Sequence, residues 1–264
     1  MTELTAANAD KYELYQRSVQ APERDVDLLE QIFQEHYGRL PHSLREDFCG
    51  TAAICVEWAS RDEDNNAVGI DNSIEPLAWA RAHYIDELAK HGVKITLRRQ
   101  NVLDPSQVGN DVIVALNYSY RIFKERHLLM RYFKSVHASL AYEGCFVIDS
   151  MGGPQTLIEY EVRHNLDGFD AIWDQVKYDP ITSEHLAYLH FHFPDESRLD
   201  KAFTYNWRLW HLSELREMLR EAGFSTVKVY WEDADENGEG TGKFSAAEHA
   251  APESRWVSYL VAFR

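Results

Sequence analysis

The sequence predicts an α/β chain: a doubly wound, mostly parallel sheet with an antiparallel β insertion and a helical N-terminal cap. Three observations predict it. Short apolar runs alternate with amphipathic helical segments between residues 44 and 149, the order that gives a parallel sheet covered on both faces. Residues 151–210 break that rhythm with aromatic, partly alternating runs, a pattern of antiparallel strands. The length of 264 residues is generous for one α/β core and short for two, which leaves room for one insertion.

Each element follows from local pattern. Residues 1–10 read as a loose tail. Leu29, Ile32, Phe33 and His36 have helical spacing within residues 26–36, and Gly38 and Pro41 end that helix. A short strand over 44–48 opens into Cys49-Gly50-Thr51-Ala52 and a helix over 53–60. A strand over 67–71 ends at Asp71. Ser73 then suits an N-cap with Pro76 in the first turn, and Leu77, Ala80, Tyr84 and Leu88 share one helix face before Gly92. Strands are expected at 93–97, leading to Asn101-Val102, and at 111–116, ending at Asn117. Leu129, Phe133, Val136 and Leu140 place a helix that stops at Gly144, and a fifth strand covers 145–149. Three antiparallel strands are expected at 169–178, 185–193 and 198–210, forming a lid. A helix around Leu215, Met218, Leu219 and Ala222 and strands at 226–231 and 256–263 return to the core. The acidic, glycine-rich stretch 232–243 reads as a mobile loop. The expected division is a cap at 1–40, a ligand-binding core at 41–150, a lid at 151–210 and the remainder of the core at 211–264.

Composition excludes several classes. The formal charge is −16, with 43 acidic against 27 basic residues, and no long Lys/Arg cluster occurs, which argues against nucleic acid or an anionic membrane as partner. No apolar run approaches the length of a membrane span, and the acidic start is unlike a secretory signal. Cys49, Cys55 and Cys145 are an odd set without metal-ligand spacing, as expected of a reducing cytoplasm.

Chemistry is expected at the carboxyl ends of the strands. There, Glu46-Asp47-Phe48-Cys49-Gly50-Thr51-Ala52 forms a small-residue turn between strand and helix, where backbone N–H groups can approach a ligand. Asp71, about twenty residues beyond Gly50, ends the next strand, a position suited to accepting ribose hydroxyls. Asn101 and Asn117 stand at the next two strand ends and also suit turns.

With those residues in place, the chain resembles the class I S-adenosylmethionine-dependent methyltransferases, of Rossmann-like, seven-stranded type. Glu46 matches the acid of that family's first loop, Gly50 its middle glycine and Ala52 its last. Phe48 stands in place of the first glycine. The resemblance covers residues 40–150 and returns in 210–224 and the final strand. It implies that Glu46, Cys49, Gly50 and Thr51 hold the methionine portion, Asp71 and Asn72 the ribose and its surroundings, and Asn101 with Val102 the adenine edge. Asn117 would lie near the transferable methyl, with Tyr15 closing over the donor from the N-terminal segment. S-adenosyl-L-methionine would be the methyl source and S-adenosyl-L-homocysteine the product.

Tyr118, Tyr120 and Arg121 follow the fourth strand where an acceptor should meet the methyl group. The rings would shape the pocket and the guanidinium would hold a carboxylate. His190 and His192 share one strand face, but no third ligand is specified by spacing, so no metal is expected. Trp173, Trp207 and Trp210 belong to the lid core or its substrate face, and His211 to a helix entry. The expected activity is methyl transfer to an O, N or C nucleophile of a small molecule, with no nucleic-acid or membrane partner and a chain compatible with a homodimer. A non-catalytic S-adenosyl-binding module and a nicotinamide-dependent oxidoreductase are the competing readings.

Overall fold

The computed structural model describes residues 3–104, 109–235 and 240–264. Two helices open the chain. Helix α1 (Lys11–Val19) is capped by Asp10, whose carboxylate accepts from the backbone N–H of Tyr12 at 2.8 Å and Glu13 at 3.2 Å. Helix α2 (Pro22–Tyr37) starts on proline and stops at Gly38, which takes the left-handed conformation at φ 74°.

The α/β alternation then runs as β1 (Ser43–Asp47), α3 (Ala53–Arg61), β2 (Asn66–Asp71), α4 (Ile74–Ala80), α5 (Asp86–Lys90), β3 (Lys94–Arg99), β4 (Asn110–Ala115), α6 (Arg126–Ser139) and β5 (Leu140–Gly152). A π turn over Arg81–Ile85 joins α4 to α5 and shifts the helix register. Ile85 is therefore buried where uniform 3.6-residue spacing favours Tyr84 and Leu88. Later come β6 (Tyr160–Leu166), β7 (Phe169–Asp179), β8 (Glu184–His192), β9 (Arg198–Arg208), α7 (Leu212–Glu221), β10 (Thr226–Ala234), β11 (Gly240–Ala247) and β12 (Trp256–Phe263).

The large sheet has the order β11-β10-β12-β5-β4-β1-β2-β3. Strands β1 to β5 run parallel to one another, while β12 is antiparallel to both β5 and β10. The chain reverses its direction of travel across the sheet between β1 and β4, so the loops after those strands face each other across a switch point. One apolar cluster, with Leu29, Phe33, Trp58 and Leu77, covers one face of the sheet. Another, with Phe133, Phe146, Leu215 and Trp210, covers the opposite face.

Two expectations are corrected. The sheet has eight strands rather than seven, because β11 adds to β10 through pairs such as Trp231↔Ser245 and Glu232↔Phe244. The stretch expected as a mobile loop is therefore mostly a hairpin, and its residues 236–239 lie outside the described ones. An edge strand needs only one apolar face; here Phe244 packs on Tyr259 at 4.7 Å, and the glycines and acids around it conceal the pattern. The insertion has four strands rather than three, in the order β6-β7-β8-β9. Strand β6 carries the polar residues Arg163, His164 and Asn165 between Val162 and Leu166, and its pairing with β7 supplies what its own apolar content does not.

Helix α1 ties the insertion to the core. Leu14 joins Phe169, Leu189, Phe191 and Phe193 in a third cluster, and Tyr15 packs on Phe203 at 4.8 Å. Toward the core, Gln16 Nε2 donates to Thr51 Oγ1 at 2.7 Å, and Tyr84 Oη donates to Gln16 Oε1 at 2.9 Å. No helix among the described residues is long and apolar enough to cross a membrane.

Candidate active site

The loop after β1 is built from unusual backbone. Phe48, Gly50 and Ala52 all have positive φ, at 58°, 52° and 59°. Such conformations are costly for non-glycine residues and persist where packing over-determines them. The Phe48 ring supplies that packing, lying 5.9 Å from Phe123 and 5.7 Å from Tyr132. The ring therefore points into the core on the α6 side and leaves the outer face of the loop uncovered. A Cβ built on Gly50 would meet nothing within 4 Å, so the backbone presents an open cradle. Cys49 turns its thiol the other way, into contact with Gly69, where a Cβ would come within 2.9 Å of the sulfur. Cys49 thus offers the loop its backbone, and Thr51 is occupied by Gln16.

Asp71 closes the cradle from β2. Its Oδ2 accepts from the Gly50 N–H at 2.9 Å and its Oδ1 from the Ser73 N–H at 2.8 Å. Its carboxylate is partly exposed and keeps further lone-pair directions open. Asn72 beside it is exposed. Asn101 forms a turn, its Oδ1 accepting from Leu103 N–H at 2.9 Å, while Val102 is buried with Ile70 and Ile113. Glu46, in β1, is buried and accepts from Cys55 N–H at 3.0 Å. Burial pushes its carboxyl up to about 8, the bond from Cys55 opposes the rise, and Asp25 and Asp71 add to it. Among the described residues no ion pair with a cation offsets the desolvation of this acid.

The loop after β4 is equally unusual. Asn117 and Tyr118 have φ values of 56° and 57°. Together they turn the chain into the short helical turn Ser119–Ile122. The Tyr118 N–H donates to Asp149 Oδ1 at 2.8 Å. Asp149 stands where β5 reaches the cavity, and burial raises its carboxyl to about 7 against the pull of the Tyr118 N–H and Arg121.

Beyond these loops lies a cavity of about 290 Å³. Its lining includes Tyr15 and Asp25 from the first two helices, Asn117 and Tyr118 after β4, Asp149, and Tyr259 from β12. The insertion contributes Trp173, Tyr205 and Trp207. Their rings lie 5.0 Å apart for Trp173–Tyr205, 4.6 Å for Tyr205–Trp207 and 6.2 Å for Trp173–Trp207. The indole Nε1 of Trp173 is buried without a partner among the described residues.

The structure brings Tyr15, Asn117 and Tyr118 to this cavity but not Tyr120 or Arg121. Tyr120 is fully buried in the core beside Phe123 and Leu129. Arg121 is fully buried, donates to the Met151 carbonyl at 2.9 Å and lies 4.8 Å from the Tyr118 ring centre. The two left-handed residues ahead of them rotate both side chains beneath the strand ends, so Arg121 is not placed to receive a carboxylate in the cavity. His190 and His192 lie on the outer face of β8, alongside Asp200 at 3.2 and 3.7 Å. Among the described residues no group of three or more His, Cys, Asp or Glu side chains could hold a metal.

Sequence reasoning missed Asp149, Asp25, Tyr205 and Tyr259. Asp149 carried a signal, as the acid of an apolar fifth strand. The others come from distant segments and carried none.

No protein-family model matches the sequence, and no curated protein matches it. Solved structures do. A methyltransferase of Clostridium acetobutylicum, described as S-adenosylmethionine-dependent, superposes with a TM-score of 0.70 at 15% identity, covering 96% of each chain. CalS10 of Micromonospora echinaspora, an amino pentose methyltransferase solved with its S-adenosylmethionine, gives 0.67 at 14% identity over 100% of this chain and 99% of its own. DesVI of Streptomyces venezuelae gives 0.66 at 17% identity over 99% of both. The chain therefore has the fold of the class I methyltransferases, in which β12 takes the antiparallel place between β5 and β10.

Proposed function

We propose that the protein is an S-adenosylmethionine-dependent methyltransferase acting on a small-molecule acceptor. The observation that carries the reading is Glu46: a buried acid with no cationic partner among the described residues, set beside the open Gly50 turn in a chain of this fold. A ligand bearing both a sulfonium and an ammonium supplies the missing positive charge. Glu46 and the backbone of residues 49–51 would hold its amino-acid end. Asp71 would take the ribose and Asn72, Asn101 and Val102 would border the adenine. Asn117, which belongs both to the row of strand ends and to the cavity lining, would mark where donor and acceptor meet.

The donor supplies a methyl group on positively charged sulfur, ready for in-line displacement. The chain's task is then alignment and exclusion of water. Helix α1 and the insertion sheet wall the cavity from two sides, and Asp149 is placed to accept a proton from an acceptor near neutral pH. The acceptors of the structural neighbours support a small molecule, since CalS10 acts on an amino pentose. The net charge of −16 supports the same reading over nucleic acid.

Calorimetric titration with S-adenosylmethionine, S-adenosylhomocysteine and NAD tests this. Micromolar binding of the first two and none of NAD is expected. Binding of NAD alone, or of no nucleoside ligand, overturns it. A non-catalytic binding module would bind the S-adenosyl ligands yet transfer no methyl group to any acceptor.

A further inference from the structure

The cavity carries opposite charges in separate places. Its buried part holds Asp149, only 8% exposed. The same cavity is lined by the rings of Trp173, Tyr205 and Trp207, which pack on one another and whose faces attract cations. The exposed part of the lining holds two arginines, Arg24 and Arg255. Neither makes a hydrogen bond or an ion pair among the described residues, though Arg24 exerts a pull on its neighbour Asp25.

A neutral acceptor leaves both ends of this arrangement unused. A simple amine would meet only the buried acid and the rings, and a simple acid only the arginines. We propose that the acceptor is an amine that also carries an anionic group, a carboxylate or a phosphate. Its ammonium end seats against Asp149 and the aromatic wall, and its anionic end is held by Arg255 and Arg24. This rests on the methyl-transfer reading above and names its substrate class.

The surroundings of Asp149 suit that role. The Tyr118 N–H and the Arg121 guanidinium lie on its own side, Asp25 reaches it from α2, Tyr15 from α1 and Tyr259 from β12. Burial outweighs Arg121, which makes the carboxylate a stronger base than an ordinary aspartate and so a better acceptor for a proton from an ammonium. In the step, the ammonium gives a proton to the Asp149 carboxylate. The freed nitrogen lone pair forms the new N–C bond as the C–S bond breaks, with its electron pair passing to sulfur. The product leaves as a methylated ammonium, and Asp149 returns its proton to solvent.

The test uses protein saturated with S-adenosylhomocysteine. It is titrated with ω-amino carboxylates and ω-aminoalkyl phosphates of increasing length, and with alkylamines and alkyl carboxylates of matching length. A member of either bifunctional series should bind about tenfold tighter than both its simple counterparts, and which series wins identifies the anion. Arg255→Gln should erase the advantage over the amine without changing S-adenosylhomocysteine binding. Asp149→Asn should erase the advantage over the simple acid. The proposal is overturned if the bifunctional ligands bind no tighter than their simple counterparts, or if none binds while S-adenosylhomocysteine does. Failure of S-adenosylhomocysteine itself to bind would instead overturn the donor reading, and this proposal with it.

Discussion

Glu46 and Asp149 are acids held largely out of water, and their titration has a sign that can be worked out. Their ordinary values are 4.5 and 3.8, and in the fold they rise to about 8 and about 7. Between those limits the folded chain holds protons that the unfolded chain has released. Each acid therefore makes stability fall as pH rises from about 4 toward about 8, with no further loss above. Glu46→Gln keeps an acceptor for the Cys55 N–H but cannot ionise. It should raise the melting temperature at pH 8.5 by on the order of 2–4 °C, leave it nearly unchanged at pH 4, and weaken S-adenosylhomocysteine binding about tenfold. Equal melting shifts at both pH values would refute the assignment of the buried charge. Asp71 acts differently, since both its oxygens already accept backbone N–H groups. Asp71→Asn sets an amide against one of those donors. It should cost about 1–3 kcal/mol of donor affinity, the scale of losing a charge-assisted hydrogen bond, with the far-ultraviolet circular dichroism unchanged.

Among the elements, α1 does the most to shape the site for its size. It packs Leu14 on the insertion, lines the cavity with Tyr15 and reaches the glycine loop through Gln16. Asp10 anchors its start twice, as N-cap and as acceptor from Trp79 Nε1 at 2.7 Å. Asp10→Ala should lose about 0.5–2 kcal/mol of that anchoring. Read by hydrogen exchange, the amides of α1 should open roughly two- to thirtyfold more often, while those of β1 and β4 keep their protection. Equal loosening throughout would mean that α1 is a part of the cooperative core rather than a separately opening cap. Strands β6 and β11 are the elements that local pattern conceals. Both sit at sheet edges, where one covered face and a paired neighbour suffice to form a strand. Their polar residues resemble a loop until the partner strand is known.

At the scale of the molecule, a formal charge of −16 places a compact chain under self-repulsion that salt screens. Raising ionic strength from about 10 mM to about 150 mM, where the screening length falls from about 30 to about 8 Å, should raise the melting temperature measurably. A melting point that falls over that range would show that specific ion pairs, such as the Arg61 network with Asp27, Glu30 and Glu57, outweigh the net charge. By itself the sequence determined the α/β alternation and the groups at the strand ends, because strand, turn and helix start are local. Glu46, Gly50, Asp71 and Asn117 are each set by the few residues around them. Only the tertiary structure decided what closes over those ends. The cavity wall joins α1, α2, the loop after β4, the end of β5, the insertion and β12, segments far apart in the chain. Two consecutive left-handed residues, Asn117 and Tyr118, turn Tyr120 and Arg121 under the sheet and leave Asp149 facing the cavity. Side-chain direction after such a turn depends on the packing that stabilises the strained backbone, and that packing comes from residues that only folding brings together.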